Sequence, residues 1–590
     1  LLNAPRPTKR LISIAYDLLA IPTAIYAALA LRHGDILPSI SNTLLLSALI
    51  TTLITLIVFI RLGQYRAMVR FMTGKAFSTL AIGISISALS LAASSFLLQA
   101  QLPRSSVIIY WLTAFTLLGS PRLFIRGIVS QIGMAQREPV LIYGAGNQGI
   151  SLANALASND IFHAHAFIDD NPKKQRMSIG GLKVYNNASI EKIIKDQNIK
   201  KVLLALGNAG ISQRKTLIET LSSINIEVLT TPAVQDIISG KARIEELKEV
   251  AIEDLLGRDP VPPQQDLIQQ CITDKVVAIT GAGGSIGSEL CRQALKQSPI
   301  KIILIELNEY SLYSIEQELN QLKENLKCNT EIISILGSIQ KKHRLQTIFE
   351  TFNVETIYHA AAYKHVPMVE HNVVEGVRNN VFGTWYCAEA AISAGVKNFV
   401  LISTDKAVRP SNIMGATKRF SELILQGAHK YSNGTCFSMV RFGNVLDSAG
   451  SVVPLFRQQI RDGGPVTVTH PEVTRYFMSI PEAVELVIQA GAMCEGGDVF
   501  VLDMGKPMKI YDLAINMIRL SGLQVLDDDN PDGDIEIMYT GLRPGEKLYE
   551  ELLVGNNAIE TENKLIMRAQ EEMIDWDNLK PMLNELREAS

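Results

Sequence analysis

Lys275-Val-Val-Ala-Ile-Thr280-Gly281-Ala-Gly-Gly284-Ser285-Ile286-Gly287 is the stretch that decides the fold. Val276–Thr280 is a short run without polar alternation, as expected of a strand covered on both faces. Three glycines follow at spacings that carry separate jobs. Gly281 permits a tight turn, Gly284 lets a backbone approach a pyrophosphate, and Gly287 lets helix and strand pack closely. A helix-like stretch then runs through Leu295, and Ile300–Ile305 reads as the next strand, ending at Glu306. A carboxylate at that place accepts both ribose hydroxyls of an adenosine and repels a 2′-phosphate, which favours NAD over NADP. Strand, turn, helix, strand and acid in register predict a doubly wound parallel sheet.

A second pattern of this kind lies upstream. Pro139-Val-Leu-Ile-Tyr143 reads as a buried strand and leads into Gly144-Ala-Gly146-Asn-Gln-Gly149 and a helix to Ala157. His165–Asp169 and Lys201–Leu206 read as further strands. No acid/base cluster accompanies this unit, so a structural or regulatory Rossmann-like domain is expected. Pro260-Val-Pro-Pro263 is the expected stiff linker between the two.

The N-terminal end is of another kind. Residues 1–137 hold 12 Lys/Arg and two acids, Asp17 and Asp35, whereas the other 453 residues carry 44 basic and 57 acidic side chains. An acidic body argues against general nucleic-acid binding, which needs cations facing phosphates. Leu11–Leu31, Thr43–Ile60, Ala76–Ala100 and the shorter Ser105–Ser120 are apolar, and a spanning helix needs ~20 such residues. Four spans through a lipid bilayer are expected. Arg6, Lys9, Arg10, Arg61, Arg66, Arg70, Lys75, Arg122, Arg126 and Arg137 fall on one side, and only Arg32 and Arg104 on the other. The positive-inside rule then keeps the large body cytoplasmic. Alternatively, Ala28-Leu29-Ala30 resembles the cleavage site of a signal peptide, which would place the body outside. The chain starts at Leu1 rather than a methionine, so preceding residues are expected.

Cys271, Cys291, Cys328, Cys387, Cys436 and Cys494 are scattered without a CxxC pair. Neither a disulfide framework nor a zinc site is expected, in keeping with a reducing cytoplasm. His359, His365 and His371 recur at an interval that suits no standard ligand spacing, and no metal is expected.

Further blocks narrow the reading. They are His359-Ala360-Ala361-Ala362, Asn379-Asn-Val-Phe-Gly383-Thr, Val400-Leu-Ile-Ser-Thr404-Asp405-Lys406-Ala and Asn412-Ile-Met414-Gly-Ala-Thr-Lys418. After them come Arg441-Phe-Gly-Asn444-Val, Thr474-Arg475-Tyr-Phe-Met and Gly541-Leu-Arg543-Pro-Gly-Glu546-Lys547. Together they resemble the extended short-chain dehydrogenase/reductase group. More narrowly, they resemble the membrane-bound nucleoside-diphosphate-sugar 4,6-dehydratases of bacterial glycan synthesis, whose usual substrate is UDP-N-acetylglucosamine.

The resemblance implies a multi-domain chain. It has a four-helix transmembrane region over 1–130 and a Rossmann-like domain over 131–262. A catalytic domain over 263–590 follows, with a small C-terminal substrate-binding part. It implies a multi-pass protein of the bacterial inner membrane with cytoplasmic catalytic domains. The implied partners are a UDP-sugar substrate, a second copy of the chain and membrane glycan-assembly enzymes. The implied reaction oxidises sugar C4, eliminates water across C5–C6 and returns the hydride to C6, with the cofactor regenerated in each cycle.

Roles follow position by position. Thr404 is expected on the C4 oxygen, Asp405 as the acid for the C6 hydroxyl, and Lys406 as the C5 base. As a base Lys406 needs a lowered pKa, with Lys418 as the neighbouring cation. The plainer reading of Asp405-Lys406 is a surface ion pair, but ligands gather at strand C-termini in such sheets. The group's usual Tyr-x-x-x-Lys appears here as Met414-x-x-x-Lys418. Lys418 can hold the nicotinamide ribose, whereas the Met414 thioether has no proton to exchange. The base for the C4 hydroxyl is left open between Asp405 and a water held by Thr404.

Ser338 and Ile339 are expected near adenine, where many relatives have Asp-Val. Ala360, Ala361 and Lys364 are expected at the cofactor. Lys364, His365, Asn444, Arg475, Arg543 and Glu546 are expected on the substrate, the two arginines on its diphosphate. A UDP-sugar 4-epimerase and a non-catalytic NAD-binding membrane scaffold or sensor are the rival readings. The tyrosine's absence motivates the second rival.

Overall fold

The computed structural model describes residues 6–36, 38, 41–65, 74–100, 102–135, 137–157, 161–206, 211–222, 224, 226–230, 248–249, 262–432, 434–552 and 558–590. Arg66, Arg70 and the first half of the expected linker, Pro260 and Val261, lie outside them. The chain divides into two compact units. One comprises Leu1–Pro139 with Ala155–Ala164, and the other Val140–Asn154 with His165–Ser590.

The first unit is built on helices α1 (Arg6–His33), α2 (Asn42–Arg61), α3 (Gly74–Leu97) and α4 (Arg104–Ala135). Ser41 caps α2 by accepting a hydrogen bond from the Leu44 amide. The bundle is apolar outside and hydroxyl-rich inside. Leu19, Leu89 and Phe96 are 72%, 71% and 84% exposed, while Thr51, Thr55 and Ser87 are buried. Thr55, Ser87 and Tyr110 bond hydroxyl to hydroxyl across α2, α3 and α4. That inversion suits a hydrocarbon solvent, where the polar groups must find each other. Asp17 is buried between the Arg122 guanidinium at 2.6 Å and the Tyr65 hydroxyl at 2.7 Å, so its charge is paired within the bundle.

Among the described residues, three helices are long and apolar enough to cross a membrane: Arg10–His33, Asn42–Arg61 and Ser78–Leu97. The expected fourth span does form a helix, and α4 packs against α1 and α3.

The second unit holds two sheets. The first contains β1 (Glu138–Tyr143), β2 (Phe162–Ile168), β3 (Ser178–Ile179), β4 (Leu182–Tyr185), β5 (Lys201–Leu204), β6 (Glu227–Thr230) and β7 (Lys248–Glu249) in the order β3-β4-β2-β1-β5-β6-β7. Asp169, just after β2, accepts hydrogen bonds from the Ala145 and Asn171 amides and from Lys174. Burial pushes its carboxyl up, but these donors more than offset that and hold it below the usual range.

The second sheet is the predicted doubly wound one. Its strands are β8 (Val276–Thr280), β9 (Lys301–Glu306), β10 (Glu331–Leu336), β11 (Thr356–His359), β12 (Asn398–Ile402), β13 (Cys436–Arg441), β14 (Asp498–Leu502), β15 (Ala558–Glu560) and β16 (Ile566–Ala569). The order is β10-β9-β8-β11-β12-β13-β14-β16-β15. From β10 to β14 the pairing is parallel, and β15 and β16 are added antiparallel. The strand order reverses between β8 and β11, the place where such sheets bind ligands.

Val276–Thr280 is wholly buried, as its apolar run requires. The smaller part beyond β13 packs into one core with the first sheet, Phe456 and Ile518 sharing a cluster with Leu141 and Ile218. The C-terminal helix Trp576–Ala589 buries Leu579 and Leu583 on Phe382, Trp385, Leu423 and Ile424. It thereby covers, within the chain, helices that flank the second sheet.

One expectation is corrected. Cys436 and Cys494 are joined as a disulfide, whereas no disulfide was expected. Cys436 opens β13 and Cys494 precedes β14, and those strands are neighbours. Sheet pairing, not sequence spacing, brings the thiols together. The other four cysteines are free.

Candidate active site

A cavity of about 780 Å³ opens at the C-terminal ends of β8, β11, β12 and β13. Its floor is the glycine loop. Gly281 has φ +67°, and a Cβ there would lie 2.8 Å from the Ala361 Cα. A Cβ on Gly287 would lie 2.0 Å from the Gly281 carbonyl oxygen, which no side chain tolerates. Gly284 caps helix α5 (Ser285–Lys296) without any side-chain hydrogen bond, so the first-turn amides are left for an anionic ligand. Glu306 lies beside the loop, accepting from the Gly283 amide at 3.0 Å and from the Leu307 and Asn308 amides. This cradle of uncapped amides, bare glycine surface and carboxylate fits a dinucleotide.

Gly281, Gly284, Ser285, Ile286, Gly287 and Ala360 line the cavity. Ala361 meets the loop from behind. Ser338 accepts from the Gln340 amide, and the buried Ile339 packs toward Gly383; neither lines the cavity.

The opposite wall carries the chemistry. Ser403 and Asp405 continue β12 by hydrogen bonding to Val440 and Phe442, which carries the sheet into the Thr404-Asp405-Lys406 turn. Thr404 Oγ1 donates to Asp405 Oδ1 at 2.8 Å, so in this structure the hydroxyl faces the carboxylate. Lys406 Nζ donates to the same oxygen at 2.9 Å and to Asn444 Oδ1 at 3.1 Å. Asp405 is fully buried, whereas Thr404, Lys406 and Asn444 line the cavity. The pair is therefore not a solvated surface bridge.

Met414 and Lys418 line the same cavity from helix α6 (Ile413–Tyr431), whose start is capped by Asn412. Lys418 Nζ donates to the Ile402 carbonyl at 2.6 Å, and burial pushes its ammonium down to about 8. Lys418 is not among the polar partners of Lys406, which are Asp405, Asn444 and Glu550. Lys406 and Lys418 both line the cavity, and Lys406 lies among two acids and an amide. Lys364 and His365 line the cavity too. Burial lowers both, and the Lys364 charge adds to the effect on His365.

Two of the expected substrate groups are engaged elsewhere. Arg475 is 6% exposed and donates to the Thr474 and Leu548 carbonyls and to Glu546 at 3.1 Å. Its fork is occupied by the chain itself, and neither Arg475 nor Glu546 lines the cavity. Arg543 is exposed, also outside the cavity lining, and has no ion pair among the described residues.

Residues 277–571, half of the chain, match the family described as polysaccharide biosynthesis protein. The capsular polysaccharide biosynthesis protein CapD of Staphylococcus aureus is 45% identical over 454 residues, covering 76% of this chain and 74% of that protein. The chain belongs to the polysaccharide biosynthesis protein family. A second member, the probable polysaccharide biosynthesis protein EpsC of Bacillus subtilis, is 42% identical over 76% of this chain and 74% of its own length. A UDP-glucose 4-epimerase of Rickettsia rickettsii is 33% identical over 48% of this chain and 78% of that protein. Residues 60–232 match a CoA-binding domain, so the helical region and the first sheet are matched in part by a separate family.

Within this polysaccharide biosynthesis chain, three supporting features escaped the sequence reading. Asn380 clamps the Tyr363 backbone through its amide and carbonyl and bonds Thr417, holding the loop that presents Lys364. It sits in a π-helical turn, Val377–Phe382, inside the quoted Asn379–Thr384 block. Glu422, one helical turn after Lys418, accepts from Ser403 and from Arg441. Glu550 lies beside Lys406 and Arg475, three residues past the quoted Glu546-Lys547. Its signal in the sequence was only adjacency to that block.

Proposed function

We propose that the chain is an NAD-dependent 4,6-dehydratase of a UDP-N-acetylhexosamine, with UDP-N-acetylglucosamine as the first substrate to test. It is held in the bacterial inner membrane with both α/β folds cytoplasmic. The observation that carries this reading is Lys406, paired with the buried Asp405, lining the same cavity as the glycine cradle. NAD, when bound, takes up hydrogen from C4 and returns it at C6.

The chain's own groups supply the proton chemistry. Lys406 Nζ and Asp405 Oδ1 are one hydrogen bond apart, so a single proton passing along it turns the lysine into a neutral amine and the aspartate into an acid. Those are the two forms needed at C5 and at the C6 hydroxyl. Asn444 keeps the lysine aimed into the cavity. Thr404, released from Asp405, meets the C4 oxygen, and the C4 hydroxyl proton leaves to a water held there and restores to the pair the proton that Asp405 gives to the C6 hydroxyl.

Incubating the protein with UDP-N-acetylglucosamine and weighing the product tests this directly: a loss of one water is expected. The second reading, a 4-epimerase, is favoured by the likeness to the Rickettsia protein of that name. It needs neither C5 base nor C6 acid, and it gives a product of unchanged mass.

Two consequences concern the cofactor side. Gly284→Val places branched carbons where the pyrophosphate would approach, while the nearest atom to its Cβ, the Gly281 carbonyl, is 3.3 Å away. The variant is expected to fold and to bind NAD at least ~10-fold more weakly by calorimetry, a loss of about 1.4 kcal/mol. Lys418 is cationic below about pH 8 and neutral above it. A cation lost above that pH no longer holds the ribose hydroxyls, so kcat is expected to fall as the pH rises through about 8. A profile flat to pH 10 would show that the Lys418 charge is not needed.

A further inference from the structure

Two buried carboxyl groups flank Lys406, and each has an oxygen without a donor. Asp405 Oδ2 and Glu550 Oε2 are both buried with no hydrogen-bond partner among the described residues. Asp405 is otherwise well served, by Thr404 and Lys406 on Oδ1. Glu550 is not. It is 8% exposed, and its Oε1 has only Lys406 Nζ at 3.9 Å and Arg475 Nε at 4.0 Å, both beyond hydrogen-bond range.

A carboxylate with one oxygen buried and unpaired, and no hydrogen bond to the other among the described residues, is costly to ionise, and a protonated one is far less so. Arg475 gives its two terminal nitrogens to Glu546 and two carbonyls, and its Nε, 4.0 Å from Glu550, attracts the carboxyl without hydrogen bonding to it. The groups facing Glu550 are Lys406, Asp405, Arg475 and Lys547. Burial, aided by the Asp405 charge, raises its carboxyl above the usual range against the pull of the three cations.

We propose that Glu550 is a positioning residue that stands beside the Lys406–Asp405 pair as a neutral acid, so that Lys406 has one anionic neighbour and not two. This rests on the dehydratase reading. With Glu550 neutral, a proton moves from Lys406 to Asp405 with no charge left uncompensated. With Glu550 ionised, Lys406 is clamped as an ammonium between two carboxylates and cannot accept the C5 proton. Atoms and charges balance without an outside reactant, because Glu550 keeps its proton throughout the cycle.

The test uses the full-length protein in detergent at pH 7, comparing wild type with Glu550→Gln and Glu550→Ala. An infrared difference spectrum of wild type minus Glu550→Gln reads the protonated-carboxyl C=O stretch. The proposal expects that band in wild type, kcat for Glu550→Gln within about threefold of wild type, and a fall of at least ~10-fold for Glu550→Ala with KM little changed. The glutamine keeps a neutral group of the same shape beside Lys406, whereas the alanine leaves a void through which water reaches the buried Asp405 and holds it ionised. No protonated-carboxyl band, a Glu550→Gln kcat down 100-fold or more, or an alanine variant as active as wild type each overturns it. Should wild type dehydrate no UDP-hexosamine at all, the dehydratase reading fails, while the infrared band still reports the state of Glu550.

Discussion

Lys406→Ala is expected to slow water loss from the UDP-sugar by about 10³-fold while leaving NAD bound, as befits removal of a positioned base. The expectation comes from geometry. Lys406 Nζ is the cationic partner of Asp405 at 2.9 Å, and Asp405 is fully buried. Deleting the amine removes the C5 base and strands a buried carboxylate, so base and acid fail together. The glycine cradle lies on the other wall, built from β8 and its loop, and among the described residues no hydrogen bond joins the Lys406 side chain to it. Single-turnover kinetics on protein with its cofactor content measured separates the two effects. A Lys406→Ala protein that dehydrates at the wild-type rate would remove the lysine from the mechanism.

Glu422→Leu is expected to destabilise the catalytic fold by about 3–5 kcal/mol, the usual cost of breaking one half of a buried ion pair. Arg441 is fully buried, and Glu422 meets its Nε at 2.8 Å and its Nη2 at 2.6 Å. Without Glu422 only Glu571 remains to the guanidinium. The same carboxylate accepts from Ser403, immediately before Thr404. Glu422 therefore ties helix α6, with Met414 and Lys418, to β13 through Arg441 and to the start of the catalytic turn through Ser403.

Burial pushes the Glu422 carboxyl up, but Arg441 and Ser403 more than offset this and hold it below the usual carboxylate range. A carboxyl with a depressed folded-state pKa gives stability that is present above its unfolded value and lost as the pH falls through the folded one. Wild type should therefore lose this contribution in acid, and Glu422→Leu should show a weaker acid dependence. Urea unfolding at pH 7 and in acid measures both. A leucine variant as stable as wild type at pH 7 would mean that the network is replaceable by apolar packing.

What could be read from the sequence was local. Gly281, Gly284 and Gly287 declared themselves because turn, phosphate approach and helix packing each exclude a side chain at a fixed offset from a strand. Thr404, Asp405 and Lys406 closely follow β12, and the fold sets that strand end across the cavity from the glycine loop. What escaped depends on contacts between distant segments. Glu550 reaches Lys406, and Arg441 reaches Glu422, only after the sheet has formed. The Cys436–Cys494 pairing is set by the neighbouring of β13 and β14, and no spacing rule reports it.

Arg475 has a partner that its own stretch of sequence did not announce. Its neighbourhood in the sequence suggested a phosphate ligand, yet the later block that carries Glu546 folds back and takes its fork. The N-terminal helices were legible as apolar, but not their hydroxyl-lined interior. Thr51, Thr55 and Ser87 are scattered through runs that average to strong hydropathy, and only packing shows that they face inward.

The measurement closest to the central claim is turnover of UDP-N-acetylglucosamine by the full-length protein in heavy water, without added NAD, followed by mass spectrometry of the sugar nucleotide. The account predicts a product lighter by one water and carrying one solvent deuterium, placed at C5 where Lys406 exchanges the proton. A C4 epimer of unchanged mass without deuterium would contradict it, and so would a dehydrated product with no solvent deuterium at C5.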